Sequence, residues 1–366
     1  MILNKFLSVT IFAAILLLAS CNVKKEVVTK ADAAQFAKEI EASVNTANEE
    51  FLNNIFDVAT LNDKVNSFLS KSQKSTVQNM RKSLASGKIG SQLIDEVEKG
   101  SSYQLVRQYE KNKIQHLIFR LYGKGALNYH DYELVKINGK IKAGDMFIYI
   151  SGSNISEIMA SGISAFDSIG GEETDKQIAN IKKIKSLFAE GKFAAAKERF
   201  DEIPLSLKDK NFYQILNIQI CKELSDSIYR NALKHYSNLF PDAPNVNLLM
   251  IDASVLDKDY SGALIAINKL DSSLGGDPFQ DYYRGLIYKL MDNEKLALLS
   301  FEKLHANLPA FTQGNAELIT MYLNEKEYDK AKPIYLAYKK DKKANKDYIE
   351  NVLVIHPGFR KFLGEE

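Results

Sequence analysis

The chain has 366 residues, more than one hydrophobic core usually serves, and its 45% hydrophobic and 26% charged content is that of a globular protein with two domains. Net charge is only +2, so no molecule-wide field favours nucleic acid, and the basic excess is local. Metal and nucleotide chemistry are excluded by pattern. The histidines stand scattered at 116, 130, 235, 305 and 356, without the i, i+4 pairing or Cys clusters of a zinc site, and no Walker loop, dinucleotide Gly motif or nucleophile elbow occurs.

The opening MILNKFLSVTIFAAILLLASC carries one positive charge, Lys5, followed by an uncharged, largely apolar run from Phe6 to Leu18. That run is shorter than the ~20 residues needed to cross a bilayer and has the proportions of an export signal. Its end, Leu18-Ala19-Ser20-Cys21, resembles the lipobox of bacterial lipoproteins. The resemblance implies a signal peptide over 1–20, a covalent lipid on Cys21, and multiple acyl chains that fix the mature protein to a membrane of the cell envelope, placed here at the outer membrane. Residues 21–30 then form a tether, and Cys221, without an intramolecular partner, is expected as a buried small residue.

Residues 31–152 predict an α+β domain. Ala33, Phe36, Ala37 and Ile40 share one helical face, and FLNNIFDVATLNDKVNSFL continues the helical reading. From Tyr103 the period falls to two, giving strands at YQLVRQYE, KIQHLIFRLY, LNYHDYELVKI and IKAGDMFIYI. The short connections KN, GKG and NG imply an antiparallel meander, with Asn138-Gly139 the strongest hairpin signal. Helices followed by a meander resemble the nuclear transport factor 2-like, cone-shaped α+β fold. That family holds a pocket between sheet and helices, for which His116, Arg120, His130 and Asp145, with Asp131, are the candidate lining residues here. His130 and Asp131 are neighbours on a strand and point to opposite faces, which argues against a direct acid-base dyad.

A linker helix over 153–170 leads to an internal repeat. GKFAAAKERF, SIYRNALKHY, KDYSGALIAI, DNEKLALLSF and KEYDKAKPIY each place Ala four residues before a large side chain: Ala196/Phe200, Ala232/Tyr236, Ala263/Ile267, Ala297/Phe301 and Ala331/Tyr335. Successive alanines lie 36, 31, 34 and 34 residues apart. This period is similar to that of tetratricopeptide repeats, and the fourth unit adds Gly285, Tyr288 and Pro309 at matching offsets, the fifth Leu318 and Tyr322. Small residues let the two helices of a hairpin approach, and the large ones fill the gap between neighbouring hairpins. Gly285 within a helix costs about 1 kcal/mol relative to Ala, a penalty offset if Gly285 and Ala297 are where the two helices touch. The resemblance implies an all-α superhelix over 171–338 whose first helices line a groove. On that frame Phe279, Tyr282, Leu286, Lys289, Gln313 and Thr320 face a protein or peptide partner. Residues 339–366 read as a basic segment, with Lys339, Lys340, Lys342, Lys343 and Lys346, and a capping helix carrying Tyr348, Val352 and Leu353.

The expected molecule is a membrane-anchored envelope lipoprotein that acts as a binding or assembly scaffold, with no catalytic motif, no metal and no cofactor beyond the lipid on Cys21. Small-molecule binding or catalysis in the N-terminal cone, and glycan capture, are the alternatives. The absence of Trp disfavours the latter.

Overall fold

A computed structural model describes residues 25–71, 73, 89–98, 101–123, 126–167 and 171–365. The signal segment, Cys21 and the start of the tether lie outside them. From Lys25 onward the expected tether is docked. Strand β1 (Lys25–Glu26) pairs antiparallel with the end of β4 (Ala126–Ile137), and Val28 is buried behind it. Backbone pairing and one apolar side chain thus hold the segment on the fold.

Helix α1 (Lys30–Asn45) starts at a capping box between Thr29 and Asp32 and buries Ala33, Phe36, Ala37 and Ile40, the face its spacing predicts. The stretch that follows is not one helix. It divides into α2 (Glu49–Asn53) and α3 (Val58–Ser67), because Asp57 caps Thr60 N–H and the backbone between them bonds to Ala143. Helix α4 (Ile89–Glu98) completes the helical layer before the sheet.

The meander β2 (Ser102–Lys111), β3 (Ile114–Gly123), β4 and β5 (Lys140–Ile148) matches the period-two reading to within a few residues. Asn112-Lys113 and Asn138-Gly139 all take positive φ, the two-residue turn geometry whose twist suits antiparallel strands. A 3-10 turn (Tyr149–Ser151), the short β6 (Ser153–Asn154) and α5 (Ile155–Asp167) follow. The helix expected as a linker packs Ala160 and Ile163 against Val65 and Leu69 of the α3 region.

Helices fill the rest of the chain, most of them paired as hairpins. These run α6 (Gly171–Ala189) with α7 (Phe193–Asp201), α9 (Asn211–Lys222) with α10 (Asp226–Leu239), and α11 (Val246–Leu256) with α12 (Tyr260–Leu274). Then come α13 (Gln280–Leu290) with α14 (Glu294–Asn307) and α15 (Thr312–Asn324) with α16 (Tyr328–Lys340), while α8 (Leu205–Lys208) is a short connector. The capping segment is two helices, α17 (Lys346–Ile355) and α18 (Pro357–Leu363), divided where Pro357 opens the second.

Both members of each Ala and large-residue pair are buried, whereas Tyr288 is half-buried. Ala196 and Phe200 of the first unit lie in a core with Ile184, Leu187, Tyr213 and Leu216, shared with the second hairpin. The buried ring of Phe200 also meets two lysines. Lys197 Nζ, from its own helix, stands 5.5 Å from its ring centroid, and Lys208 Nζ of α8 stands 5.9 Å away. The reason is local: the connector α8 intervenes between this hairpin and the next, and it brings a lysine to the ring of Phe200.

The sheet has two covered faces. Leu117 and Phe119 of β3 join α1 in one core, and Ile118 and Tyr122 join a second core with Leu248, Ile267, Leu270 and Phe279 of the hairpins. An antiparallel strand with one wet face alternates polar and apolar residues; Leu117 to Tyr122 instead reads as a run broken only by Arg120, as a strand buried on both sides requires.

Candidate functional site

The four side chains expected in one N-terminal pocket go to different places. Period two sends His116 and Arg120 to the outer face of the sheet, toward the hairpins, and His130 to the inner face. Arg120 is buried: its Nη1 donates to Asp277 at 2.5 Å, its Nη2 to Gln104 at 2.7 Å, and the guanidinium lies over the Phe279 ring. Asp145 takes Ser156 Oγ and Ser156 N–H at the start of α5, with Lys64 at 3.9 Å. Burial raises its carboxyl above the ordinary range while these donors oppose the shift. Both residues are joints of the fold, and neither lines an open site.

Sequence reasoning missed the partner of His116. Its Nδ1 is 3.2 Å from Asp131, whose other oxygen accepts from Tyr109 O–H at 2.5 Å, and the Tyr109 ring stacks on the imidazole. The signal was available, since a histidine and an aspartate two strand positions off direct register meet diagonally on one face. Side-chain exposures of 14% and 12% leave this dyad covered by protein.

On the inner face His130 lines a cavity of about 340 Å³ with Leu93, Leu121, Tyr132, Met146, Ile155 and Met159. Asn128 is oriented by two backbone donors, Tyr129 N–H and Ile150 N–H, on its Oδ1. Its amide nitrogen therefore donates to His130 Nε2 at 3.2 Å, which leaves Nδ1 to carry the ring proton toward Tyr103 Oη at 3.0 Å. A second proton on Nε2 would face the Asn128 donor. Desolvation lowers the imidazole pKa to about 4, so His130 is neutral in a largely apolar cavity whose lining also includes Glu96.

The expected groove residues divide as well. Phe279 is fully buried against Tyr122 and the Arg120 guanidinium. Tyr282 sits at the junction of the second sheet core and the C-terminal core. The structure brings Leu286, Lys289 and Thr320 onto a continuous, half-buried ledge: Lys289 of α13 binds Glu317 of α15 at 2.6 Å, and Thr320 of α15 meets Tyr348 of α17 at 3.0 Å. Gln313 is exposed at the start of α15.

Side chains and loops of the sheet region bond the heads of three first helices, its apolar face also packs on Ile267 and Leu270 of α12, and Arg107 donates to Leu274 O at the end of α12; none of these contacts involves Leu286, Lys289 or Thr320. Asn211 at the head of α9 donates to Ser151 O, and Asn245 before α11 donates to Ile150 O. Asp277, before α13, accepts from Arg120 and from Tyr129.

A scan against protein-family models finds no match, and a search of curated proteins finds none either. Among the described residues no helix is long and apolar enough to cross a membrane, and no group of three or more His, Cys, Asp or Glu stands placed to hold a metal ion. Cys221 is buried, and burial pushes its thiol pKa up.

Proposed function

We propose that the chain is an envelope lipoprotein held to a membrane through lipid on Cys21, and that its hairpins form a tetratricopeptide-type superhelix that holds a protein or peptide partner. The observation that carries this reading is the ledge. First helices of successive units are cross-linked by Lys289–Glu317 and Thr320–Tyr348 into one surface, apart from the residues that contact the N-terminal sheet. Stacked hairpins present such surfaces because each unit contacts only its neighbours. A mixture of apolar and paired polar groups suits an extended polypeptide, whose backbone needs donors and acceptors as well as apolar contact.

A photo-crosslinker at Leu286 or Thr320 in native membranes tests it. Capture of one defined protein from both positions, and not from Ile228 on α10, is the expected result; absence of any captured protein from the ledge overturns the reading.

The cavity beside His130 favours a second reading, a small, largely apolar ligand with polar groups to meet His130 and Glu96, held in the N-terminal cone. Native mass spectrometry of the purified chain, with Leu121→Trp as the cavity-filled control, separates it from the first: a co-purifying small molecule lost in the variant assigns the binding to the cone.

A further inference from the structure

One end of the sheet is built of lysines. The two hairpin turns, Asn112-Lys113 and Asn138-Gly139, lie at the same end because β2 and β4 both finish there, and β1 and the head of α1 join them. Lys25 sits opposite Ile137, and Lys30 offers its carbonyl to Gln108 near the end of β2. Lys25, Lys30, Lys111, Lys113 and Lys140 are all exposed on this rim. Among the described residues none of them is in an ion pair.

Carboxylates share the rim: Asp32 is ion-paired, while Glu26, Glu39 and Glu110 take uncharged donors and keep their charge, so the five lysines outnumber them. Glu26 accepts from Gly139 N–H at 3.1 Å, Asp32 takes both the helix cap and Lys136 at 3.0 Å, and Glu110 accepts from Gln115 at 2.7 Å. Beside them Val27 is 79% exposed.

The geometry points to this end as a dock for an anionic lipid surface, on which phosphate-bearing headgroups meet the five exposed lysines and Val27 enters the headgroup boundary. The inference rests on the lipid-anchor reading for its biological setting. Cys21 precedes β1 by four residues, which span at most about 14 Å when fully extended, close to the ~10 Å screening length at 0.1 M salt. A lipid on Cys21 would hold this rim near the bilayer, because β1 is part of the rim. Each lysine so placed strengthens binding about fivefold. A short tether then becomes an orienting device: it directs the hairpin rim to the membrane.

Every contact described lies within residues 25–365, so a chain beginning at Asn22 contains the whole described fold. That unlipidated chain is sedimented with vesicles of phosphatidylglycerol and phosphatidylcholine in equal parts, and with pure phosphatidylcholine. The expected result is salt-sensitive binding to the anionic vesicles only, weakened more than a hundredfold by Lys25, Lys30, Lys111, Lys113 and Lys140→Gln together. The same change at Lys339, Lys340, Lys342, Lys343 and Lys346 leaves it intact. The proposal is overturned if the wild-type chain ignores anionic vesicles, if the rim variant binds as wild type while its unfolding curve is unchanged, or if the C-terminal variant loses binding instead. The anchor is tested separately, by whether Cys21→Ser releases the full-length exported protein from membranes. Because residue 21 is absent from the vesicle assay, either idea can fail alone.

Discussion

Arg120 and Asp277, 157 residues apart in the chain, form a buried ion pair with a 2.5 Å contact between the outer face of the sheet and the loop before α13. Tyr129 O–H adds a second donor to the same carboxylate at 2.8 Å, and Gln280 donates to the Tyr129 oxygen at 2.6 Å. The two parts of the molecule therefore share one polar joint inside one apolar core. Breaking a buried pair from one side leaves an uncompensated charge. Arg120→Met is expected to cost about 3–5 kcal/mol in urea unfolding, and Asp277→Asn in the same chain to recover part of that loss. Additive single effects would show that the two residues are uncoupled.

Gly285 lies under the ring of Phe301: a Cβ at that position would stand 2.6 Å from two ring atoms. The nearest atoms all belong to Phe301 on the second helix of the same hairpin, and Phe301 also lies in the core that takes in Leu318 and Tyr322 of the next one. Gly285→Ala gains about 1 kcal/mol of helix propensity and loses about 1–3 kcal/mol to overpacking, so net destabilisation of up to about 2 kcal/mol is expected from denaturant titration. Phe301→Leu should make the alanine tolerable. A Gly285→Ala protein more stable than wild type would contradict the close approach.

His130 makes stability depend on pH with a definite sign. Its folded pKa of about 4 lies below the ordinary 6.5, so between these values the unfolded chain binds a proton that the folded chain refuses. The contribution is fully present above pH ~6.5 and is lost as the pH falls toward 4. The ring faces a cavity and keeps some access to water, which moderates the effect to about 2 kcal/mol. Unfolding free energies at pH 7 and pH 4.5 for wild type and His130→Gln check it: the wild type should lose the larger amount on acidification.

Asn245 is fully buried and bonds Ile150 O at 3.1 Å and Tyr236 O–H at 2.9 Å. Asn245→Ala removes its bond to each partner, at about 2–4 kcal/mol for the two. Hydrogen exchange should show amides of the 3-10 turn at Tyr149–Ser151 opening faster, while those of α15 and α16 are unchanged.

Lys289 and Glu317 are 35% and 27% exposed, so solvent screens their pairing, and Lys289→Glu should change stability by less than ~1 kcal/mol. Capture of a partner from the ledge should nevertheless fall sharply. Undiminished crosslinking in this variant would remove Lys289 from the binding surface.

Local patterns were legible before any coordinates. Four strands and their hairpins follow from period two and from Asn138-Gly139, and the Ala and large-residue pairs of the five units mark interior positions, because side-chain direction repeats with the backbone period in both elements. The burial of Phe200 was legible in this way, but the lysine that α8 lays against its ring was not. The break between α2 and α3 was not legible either, since it depends on backbone bonds to Ala143, far downstream in the chain but adjacent in space. The apolar run Leu117 to Tyr122 did carry a hint of the second layer, which the meander reading did not use.

The candidate site shows the same division. Which face His116, Arg120 and His130 occupy follows from their spacing alone, as does the buried character of Ala297 and Phe301. What meets each face was decided only by tertiary structure. Arg120 became a joint because Asp277 arrives opposite it, and Phe279 left the groove because Tyr122 covers it. A periodic pattern determines where a side chain points along its own element, but a partner brought from another part of the chain depends on how whole elements stack, and that choice is spread over too many weak contacts to be read from any one stretch.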